Sequence, residues 1–595
     1  MKPPFYTRFV FVALVCALLG IAIIIQMVRI NYTSYADDLM TKSIDYQGVN
    51  KLVYPARGTI YDRSGSILAT NQIGYELGID LKFVNDPESI AFAVTSLIDR
   101  LDYAQIYGLA SIESRGESEN RYFVLTSYVS KEKIQELETL EESYALRREQ
   151  NKTTKPNLSG LVWTPMQQRA YPEGNLAANV LGFYNYFSRE TAQGVYGIEE
   201  AYNTLLSGRP QYIFMPNNPY LVEALPNIEP GASLVLTIDR EIQKMLEDTL
   251  VEALEWSGAE NGTIIVADPE TGEILGMAST PFFNPNEYWT YQETFSGITP
   301  YNRAVGSAYE PGSVFKVITM AAALDSGVAT PDSTYNDATG VYWVADSWPI
   351  YNWNMGAWGE QTMTGCMQYS LNVCLAYIAD ELLQEDLFYQ YLQAFGFGRS
   401  TGIDLAAEAN YPLRLPENNQ WVELDLATNS FGQGIAVTPI QMVTAISAVA
   451  NEGNMMMPHI VKSVVDRGQQ YDVSPQIINT PISAETAETL TEMLTFTLEE
   501  EASLALVEGY RLAGKTGTAE IPTEGGYTSS LTNTSFVGWG PSDDPKFLVY
   551  VWLEKPTISK WGSEVAAPIF RNVVEKLVVL MKLPPDDINQ EIVNE

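Results

Sequence analysis

The stretch that decides the fold of this chain reads Tyr309-Glu310-Pro311-Gly312-Ser313-Val314-Phe315-Lys316. It places a serine and a lysine three residues apart at the start of an apolar helix, on the same helical face. A serine becomes a nucleophile at neutral pH when a neighbouring base takes its proton, and Lys316 could be that base for Ser313. The free backbone N–H groups of a first helical turn could also hold an oxyanion.

The apolar run that follows distinguishes this pair. Residues 314–324 are almost continuously apolar apart from Lys316, which is typical of a buried helix. An unpaired ammonium is costly to bury, so desolvation should lower the pKa of Lys316 and make it a better base. The same spacing at Ser130 and Lys133 falls in a charged stretch and predicts a solvated helix. The alternative for Lys316 is a side chain that reaches solvent from a helix end.

Composition restricts the class of protein. The chain has 595 residues, and a prior of about 150 residues per domain predicts three or four structural units. Its formal net charge is −37, which argues against nucleic acid as a partner, because phosphate binding needs a basic surface. The chain has one histidine, His459, and no Cys-x-x-Cys pair, so we expect no metal site. A Ser-His-Asp triad would depend on that one histidine.

Two of the three cysteines lie close together in the sequence. Cys366 and Cys374 would be about 12 Å apart on one continuous helix, too far for a disulfide. They could pair only if the chain turns between them. We therefore expect two small buried hydrophobic side chains, with a disulfide as the alternative. Cys16 lies in the apolar N-terminal segment, where it cannot pair with the other two.

An apolar segment near the N-terminus predicts a single transmembrane anchor at residues 9–30. Residues 9–25 carry no charge, and about 17–20 apolar residues span a bilayer. Because Lys2 and Arg8 precede the segment, we expect residues 1–8 to be a cytoplasmic tail and the rest of the chain to lie outside the cell membrane. The alternative is a signal peptide cleaved near Ala36, about ten residues beyond the apolar run.

Breaks in composition divide the rest of the chain. Residues 31–215 have mixed composition, with short strand-like runs and one charged helix, and predict an elongated domain of helices and strands. Residues 216–232 are rich in proline and predict a linker. Residues 233–583 form the last predicted domain, and the acidic tail at 584–595 is expected to be loose.

Strand and helix signals predict an α+β fold for the last domain. Strand pairs are predicted around residues 262–278 and 535–553. The first has a turn of proline, an acidic residue and glycine at 269–272, and the second has a turn of proline, serine and aspartate at 541–545. Helices are predicted at 240–257 and 567–582, and a mainly helical stretch at about 314–482. Strands at both ends of a helical middle predict one antiparallel sheet covered by helices, plus an all-α subdomain.

Two further segments could complete a serine active site. Ser370-Leu371-Asn372 interrupts a helical stretch, and its hydroxyl and amide could relay a proton and hold a substrate carbonyl. Lys515-Thr516-Gly517-Thr518 lies in a short strand, where a cation and hydroxyls could hold a carboxylate and the glycine would let another backbone approach. Each signal is weak alone, and the alternative for Lys515 is an edge-strand lysine that blocks aggregation.

Taken together, these motifs resemble those of one family. The Ser-x-x-Lys, Ser-x-Asn and Lys-Thr-Gly motifs follow the order found in penicillin-binding proteins and class A β-lactamases. The chain is similar over almost its whole length to a class B penicillin-binding protein, the monofunctional peptidoglycan D,D-transpeptidase. By this resemblance, 31–215 is the pedestal domain and 233–583 the transpeptidase domain. Besides the anchor, the similar segments are 57–63, 169–172, 197–199, 236–239 and 432–439.

The resemblance implies catalytic roles for four residues. Ser313 would attack the D-Ala-D-Ala carbonyl of a stem peptide and release D-Ala, and Lys316 would take the proton of the serine. Ser370 would relay a proton to the leaving amine, and Asn372 would hold the substrate or Lys316. Leu371 between them is bulkier than the family pattern leads us to expect, which puts the proton relay and the affinity for β-lactams in doubt.

The resemblance also implies how substrate is held. Lys515, Thr516 and Thr518 would bind the substrate carboxylate beside Gly517, and the backbone N–H groups of Ser313 and Thr518 would form the oxyanion hole. An amino group of a neighbouring stem peptide would resolve the acyl-enzyme and make the cross-link, whereas a β-lactam would stay on Ser313. No cofactor or metal is implied. The expected partners are the membrane, a membrane-embedded glycan polymerase and other wall-synthesis proteins.

Other functions fit the same motifs. A β-lactamase or a β-lactam sensor would share the fold, and a non-catalytic scaffold of the wall machinery could retain it. The anchor and the pedestal argue against a β-lactamase, the short cytoplasmic tail against a sensor, and the intact motifs against a scaffold. Division, elongation and sporulation stay open, with general likeness slightly favouring division or sporulation. Within the pedestal, we expect Arg57 or Arg63 to pair with Glu199.

Overall fold

The computed structural model describes residues 5–32, 48–98, 101–112, 122–185, 193–216, 228–295, 297–501, 503–523 and 526–586. By contact, the chain forms two compact units, one of Met1–Ala56 with Ser207–Gly231 and one of Arg57–Leu206 with Ala232–Glu595. Parts of the predicted cytoplasmic tail, linker and acidic tail lie outside the described residues. The boundaries predicted at residues 215 and 233 stay predictions.

The first unit contains the apolar N-terminal helix. This helix runs Phe5–Tyr32, and its segment Tyr6–Arg29 is long and apolar enough to cross a membrane. The anchor predicted at 9–30 lies within it. The unit also contains an antiparallel strand pair, Gly48–Val53 with Gln211–Pro216.

In the second unit, a seven-stranded sheet combines strands that lie far apart in the sequence. Ile60–Tyr61 pairs antiparallel with Ile67–Asp80. The carboxylate of Asp62 accepts the Ser66 N–H at 2.6 Å and closes the turn between them. Ile60–Tyr61 also pairs in parallel with Ser233–Leu236. The spatial order is Gln469–Asp472, Val461–Asp466, Ser233–Leu236, Ile60–Tyr61, Ile67–Asp80 and Tyr122–Val129, with Leu161–Ala170 also paired to Ile67–Asp80.

A second, five-stranded sheet of the same unit is antiparallel throughout. Both predicted hairpins are present in it, Asn261–Ala267 with Ile274–Ser279 and Gly526–Gly540 with Phe547–Glu554. Ala513–Thr523, which carries the Lys-Thr-Gly motif, is the edge strand beside Gly526–Gly540. The predicted antiparallel sheet is therefore confirmed, with the motif strand at its edge.

The five-stranded sheet separates two apolar clusters. Along Phe547–Glu554, Val549 and Val551 face one cluster, whereas Tyr550 and Trp552 face the other. Side chains alternate between the two faces of a strand, so a continuous apolar run is buried on both sides. The sheet is thus the middle layer of three.

Helices cover both faces of this sheet. Arg240–Ser257 and Gly562–Leu580 contribute to the first cluster, and Lys316–Asp325 and Pro439–Ala450 to the second. The predicted helix at 240–257 is present with a defined start and end. The Asp239 carboxylate accepts N–H groups of the first helical turn, and Gly258 ends the helix in the left-handed conformation.

The central stretch contains strands that the sequence analysis did not predict. Thr334–Asp337 pairs with Gly359–Thr362, and Val341–Val344 pairs with Trp348–Tyr351, all antiparallel. Each strand is four residues long, too short for a period-two pattern to stand out from a helical one. The two pairs lie between the helix that follows Ser313 and the Ser-x-Asn motif.

The remaining elements lie almost entirely in the second unit. The other α-helices are Pro87–Leu97, Tyr103–Ala110, Lys131–Asn151, Ala178–Leu181, Gly197–Ala201, Asn203–Ser207, Tyr291–Thr294, Arg303–Gly306, Met363–Gln368, Asn372–Tyr377, Gln384–Ala394, Glu423–Asn429 and Ala484–Glu501. The 3-10 turns are Pro285–Thr290, Gly312–Phe315 and Ser503–Ala505, and Ile378–Leu383 is a π turn. The other strands are Phe183–Asn185, Gln193–Val195, Met455–Met456 and Ile477–Asn479.

A buried carboxylate joins three segments of the predicted pedestal. Glu199 is fully buried and accepts hydrogen bonds from Arg57 Nε and Arg169 Nε, each at 2.6 Å. The Tyr171 hydroxyl adds a third hydrogen bond at 3.1 Å. Burial alone would raise the pKa of Glu199, but the charges of Arg169 and Arg57 hold this pKa below its ordinary value. The carboxylate is therefore ionised and paired.

This cluster decides between the two arginines expected to pair with Glu199. Arg57 is the partner, whereas Arg63 pairs with Glu273 at 3.2 Å. The second arginine on Glu199 is Arg169, whose segment the sequence analysis singled out without assigning it a partner.

Replacing Glu199 with glutamine should destabilise the protein strongly, because two buried guanidinium groups would lose their counter-charge. Removing one partner of a buried pair costs about 3–5 kcal/mol, whereas an exposed pair contributes less than about 1 kcal/mol. Thermal unfolding of the full-length protein in detergent should show a clearly lower Tm for Glu199→Gln. Glu173→Gln, which removes an exposed pair with Arg240, is the control. An equal Tm for both variants would contradict this account.

Candidate active site

Ser313 lies in a tight turn that packs against the edge strand. The chain forms the 3-10 turn Gly312–Phe315 before the helix Lys316–Asp325 begins. Gly312 has a φ of +61°, and a Cβ there would lie 2.6 Å from the carbonyl oxygen of Thr518. Glycine therefore allows this turn to approach the strand closely in a left-handed conformation.

Two more glycines permit the same approach. At Gly517, a Cβ would lie 2.9 Å from Val314 Cγ1 and would also collide with Ser535. On the other side of the turn, the Gly432 carbonyl accepts the N–H of Gly312 at 2.9 Å. The sequence analysis expected another backbone close to Gly517, and the segment found there is the turn that carries the serine.

Lys316 is fully buried among neutral acceptors. Its Nζ donates to the Ser370 carbonyl oxygen at 2.7 Å and to Asn372 Oδ1 at 2.8 Å, and it lies 3.2 Å from the hydroxyl oxygen of Ser370, which can donate to the neutral amine. Throughout the part of the chain that the structure describes, no carboxylate lies within ion-pair distance of it. The side chain is thus removed from water without a counter-charge, and it does not reach solvent from a helix end.

The surroundings of Lys316 favour its neutral form. Burial lowers the pKa of Lys316 well below its ordinary value, and the positive charge of Lys515 lowers it further. The hydroxyl of Ser370 lies between the two lysines, 3.2 Å from Lys316 Nζ and 3.1 Å from Lys515 Nζ. One hydroxyl therefore connects an amine of lowered pKa to a second cation, in a geometry that allows proton transfer.

Ser370 occupies a left-handed turn between two short helices. Met363–Gln368 ends just before the turn, and Asn372–Tyr377 begins just after it. Ser370 has a φ of +53°, in a region that residues other than glycine rarely adopt. Leu371 is fully buried in the apolar core. The bulky residue of this motif therefore anchors the turn, while the polar residues on both sides of it contact Lys316.

The same turn brings two cysteines together. Cys366 and Cys374 have Cα atoms 6.1 Å apart and form a disulfide. The expectation of two unpaired buried side chains was wrong, because the 12 Å separation assumed a continuous helix, and the chain leaves the helical path at Ser370. The disulfide links the two helices on either side of the Ser-x-Asn motif.

The Lys-Thr-Gly motif lies on the edge strand Ala513–Thr523. Lys515 is 2% exposed, whereas Thr516 and Thr518 are half-buried. Thr518 Oγ1 accepts the N–H of Gly562 at 2.9 Å. Gly562 begins the last helix, and the sequence analysis did not identify it as a neighbour of the motif.

One cavity of about 900 Å³ connects the three motifs. Behind its wall lie Lys316 and Gly517, both buried. His459 lies elsewhere, with Nδ1 at 3.2 Å from the Met457 carbonyl oxygen. Within the described ranges, no group of three or more His, Cys, Asp or Glu side chains could hold a metal ion. The predicted site residues that line the cavity are Ser313, Ser370, Asn372, Lys515, Thr516 and Thr518.

One side of the cavity is an aromatic wall that the sequence analysis missed. The ring of Trp353 lies 5.5 Å from that of Trp561, and Trp358 stacks on Tyr369 at 4.6 Å. Trp353 Nε1 also donates to the Tyr369 carbonyl oxygen at 3.1 Å. The three tryptophans within residues 348–358 were the sequence signal from which this aromatic wall could have been predicted. The wall gives the cavity an apolar face opposite its polar motifs.

The site contains the groups that acyl transfer through a serine ester needs. It presents a hydroxyl nucleophile, a desolvated amine as base, a hydroxyl that connects two lysines, and a strand with a cation and two hydroxyls. A carboxylate-terminated peptide could lie along that strand with one carbonyl next to the serine.

Comparison with known proteins gives the same organisation. Residues 262–575 match the penicillin binding protein transpeptidase domain, and residues 52–219 match the penicillin-binding protein dimerisation domain. The chain is 33% identical to stage V sporulation protein D of Bacillus subtilis, over 91% of this chain and 80% of that protein. It is 26% identical to peptidoglycan D,D-transpeptidase FtsI of Escherichia coli, over 98% of this chain and 95% of that protein.

Solved structures share the fold. Penicillin binding protein 3 of Mycobacterium tuberculosis, solved in complex with aztreonam, matches with a TM-score of 0.66 at 24% identity, over 90% of this chain and 99% of that chain. Fold and site together define a penicillin-binding transpeptidase with an N-terminal apolar helix and a dimerisation domain. The chain belongs to the penicillin-binding protein transpeptidase family, and its activity is cross-linking of cell wall peptidoglycan.

The pH dependence of stability should reveal the neutral lysine. Between the lowered pKa of Lys316 and about 10.5, the unfolded chain binds one more proton there than the folded protein, so this residue makes stability rise with pH. The stability difference between wild type and Lys316→Met should change by up to about 1.4 kcal/mol per pH unit. Urea unfolding between pH 6 and pH 9 measures it, with the exposed Lys244→Met as control. A difference independent of pH would contradict a neutral Lys316.

Removing the disulfide should weaken the Ser-x-Asn turn. The double variant Cys366→Ala, Cys374→Ala should lose about 2–3 kcal/mol of stability, the scale for a loop of this length. Acylation by a penicillin should also slow, because the turn that holds Ser370 and Asn372 against Lys316 becomes looser. Unfolding midpoints and stopped-flow acylation rates measure both effects, and Cys16→Ala is the matched control. Rates equal to wild type would show that the helices hold the turn without the disulfide.

Proposed function

We propose that this protein is a class B peptidoglycan D,D-transpeptidase that works through an acyl-enzyme on Ser313. The observation that carries the proposal is the buried amine of Lys316, hydrogen-bonded to Ser370 and Asn372 one turn after the serine. A lysine whose pKa is lowered by desolvation can act as a base, and this one follows the proposed nucleophile by three residues and contacts the proposed proton relay.

In the proposed acylation, Ser313 Oγ attacks the carbonyl of the penultimate D-Ala of a donor stem peptide. Lys316 takes the serine proton, and an ester bond forms as the peptide C–N bond breaks. Ser370 passes a proton from the lysine to the nitrogen of the leaving group. The terminal D-Ala therefore leaves with a neutral amino group. Asn372 keeps Lys316 oriented through its Oδ1.

Substrate binding in this proposal uses the edge strand. Lys515 and Thr516, with Thr518, hold the terminal carboxylate of the donor, and the absence of a side chain at Gly517 keeps the strand close to the serine turn. The backbone N–H groups of Ser313 and Thr518 receive the developing oxyanion. The strand and the turn thus act on the same carbonyl from two sides.

The second half of the reaction is aminolysis. An amino group of a neighbouring stem peptide attacks the ester carbonyl, and a new amide bond forms as the ester C–O bond to Ser313 breaks. The proton of the amine returns through Ser370 and Lys316 to Ser313 Oγ. A β-lactam acylates Ser313 in the same way, but its leaving group stays attached to the acyl chain and the ester persists. These steps use side chains and backbone of this chain alone.

We also propose a single-pass topology with the N-terminus in the cytoplasm. The helix segment Tyr6–Arg29 and the positive charges of Lys2 and Arg8 support it. The transpeptidase domain at 233–583 would then act outside the cell membrane, and the pedestal at 31–215 would support it next to a membrane-embedded glycan polymerase. The match of residues 52–219 to the dimerisation domain supports this assignment of the pedestal.

A fluorescent penicillin tests the function directly. The full-length protein in detergent should be labelled covalently, and Ser313→Ala should abolish labelling because the nucleophile is gone. Ser326→Ala, at the end of the helix Lys316–Asp325 that follows the serine turn, should label like wild type. An unlabelled but folded wild type would point to a scaffold, and rapid release of hydrolysed penicillin would point to a β-lactamase.

A further inference from the structure

Glu520 lines the active-site cavity two residues beyond Thr518. On the edge strand Ala513–Thr523, the half-buried residues Thr516, Thr518 and Glu520 alternate with buried ones, so their side chains share one face. A strand rises about 3.4 Å per residue, which places Glu520 about 7 Å further along than Thr518. The register with the neighbouring strand shifts directly after Glu520. Such irregularities re-aim side chains next to active sites.

The carboxylate of Glu520 has no protein partner in the part of the chain that the structure describes. This distinguishes it from the other charged side chains of the cavity, each of which contacts a neighbour. Those contacts are Lys515 with Ser370, Lys560 with the ring of Trp561 and Glu564 with Ser559. A half-buried carboxylate without a counter-charge favours a cation in the bound ligand and disfavours a second anion.

The place of Glu520 on the strand identifies the ligand group that reaches it. In the proposed complex, Lys515 and Thr516 hold the terminal carboxylate of the donor, and the reacting carbonyl lies beside Thr518. A donor that continues along the strand extends away from its carboxylate and toward Glu520. The side chain that reaches Glu520 is therefore that of the residue before the acylated D-Ala.

We propose that Glu520 is a specificity-determining residue that binds a side-chain ammonium group on this residue of the donor stem peptide. Cross-linking consumes an amino group of a neighbouring stem, so a stem that has not yet reacted carries such an amine. The inference rests on the proposed function and adds a substrate class to it. Donors with a free amine are preferred over donors whose amine is already acylated.

Two donor peptides that differ only in this amine test the proposal. N-acetyl-L-Lys-D-Ala-D-lactate has the free ammonium, and its Nε-acetyl derivative lacks it. With full-length enzyme in detergent, kcat/KM for D-lactate release should favour the free amine by about tenfold, the scale of a charge-assisted hydrogen bond. In Glu520→Gln the ratio should fall to about one, and in Glu564→Gln it should stay as in wild type. Comparing ratios within each variant cancels a general loss of activity.

A competition experiment measures the same donor preference without requiring turnover of the donor. The concentration of each donor that halves the rate of penicillin labelling should show the same preference in wild type and its loss in Glu520→Gln. A wild type without preference, or a preference that survives Glu520→Gln, would overturn the proposal. Loss of aminolysis by an added amine, with the donor preference intact, would assign Glu520 to the acceptor and also overturn it. Failure of the proposed function is distinguishable, because penicillin would then either not label Ser313 or be released rapidly as the hydrolysed product.

Discussion

The burial of one lysine amine without a counter-charge is the constraint on which this active site depends. Water around Lys316 Nζ is replaced by two oxygens of Ser370 and one of Asn372. These acceptors belong to the Ser-x-Asn turn, which is distant from Lys316 in the sequence and must therefore be held in place. The buried Leu371 and the adjacent disulfide hold it. The nearby charge of Lys515 then acts on an amine that is already desolvated, and both effects favour the form that can take a proton.

A second constraint is the close contact between the serine turn and the edge strand. Side chains at Gly312 and Gly517 would collide with the opposing segment, so the missing Cβ atoms set the distance between nucleophile and substrate-binding strand. With that distance set, alternation along the strand places Thr516, Thr518 and Glu520 on the cavity face. The glycines thus determine the position of the strand that lines the active-site cavity.

Much of this organisation could be predicted from local sequence. The apolar run after Ser313 predicted a buried lysine, and turns with proline and acidic residues predicted both hairpins of the five-stranded sheet. What could not be predicted depends on contacts between distant segments. Arg169 joins Glu199 because separate pedestal segments meet, and the aromatic wall exists because short strands bring Trp353 next to Trp561. No periodicity within one segment reports such contacts.

The sequence by itself predicted the residues of the candidate active site, because a serine, a lysine and the helix that follows them are defined by spacing within a few residues. It also determined the apolar anchor segment and the antiparallel sheet, since both follow from local patterns of polarity. The tertiary structure alone decided that Cys366 and Cys374 pair and that Ser370 lies between two lysines. The physical reason is the left-handed turn at Ser370, which is stable only because the surrounding core and the buried lysine hold it.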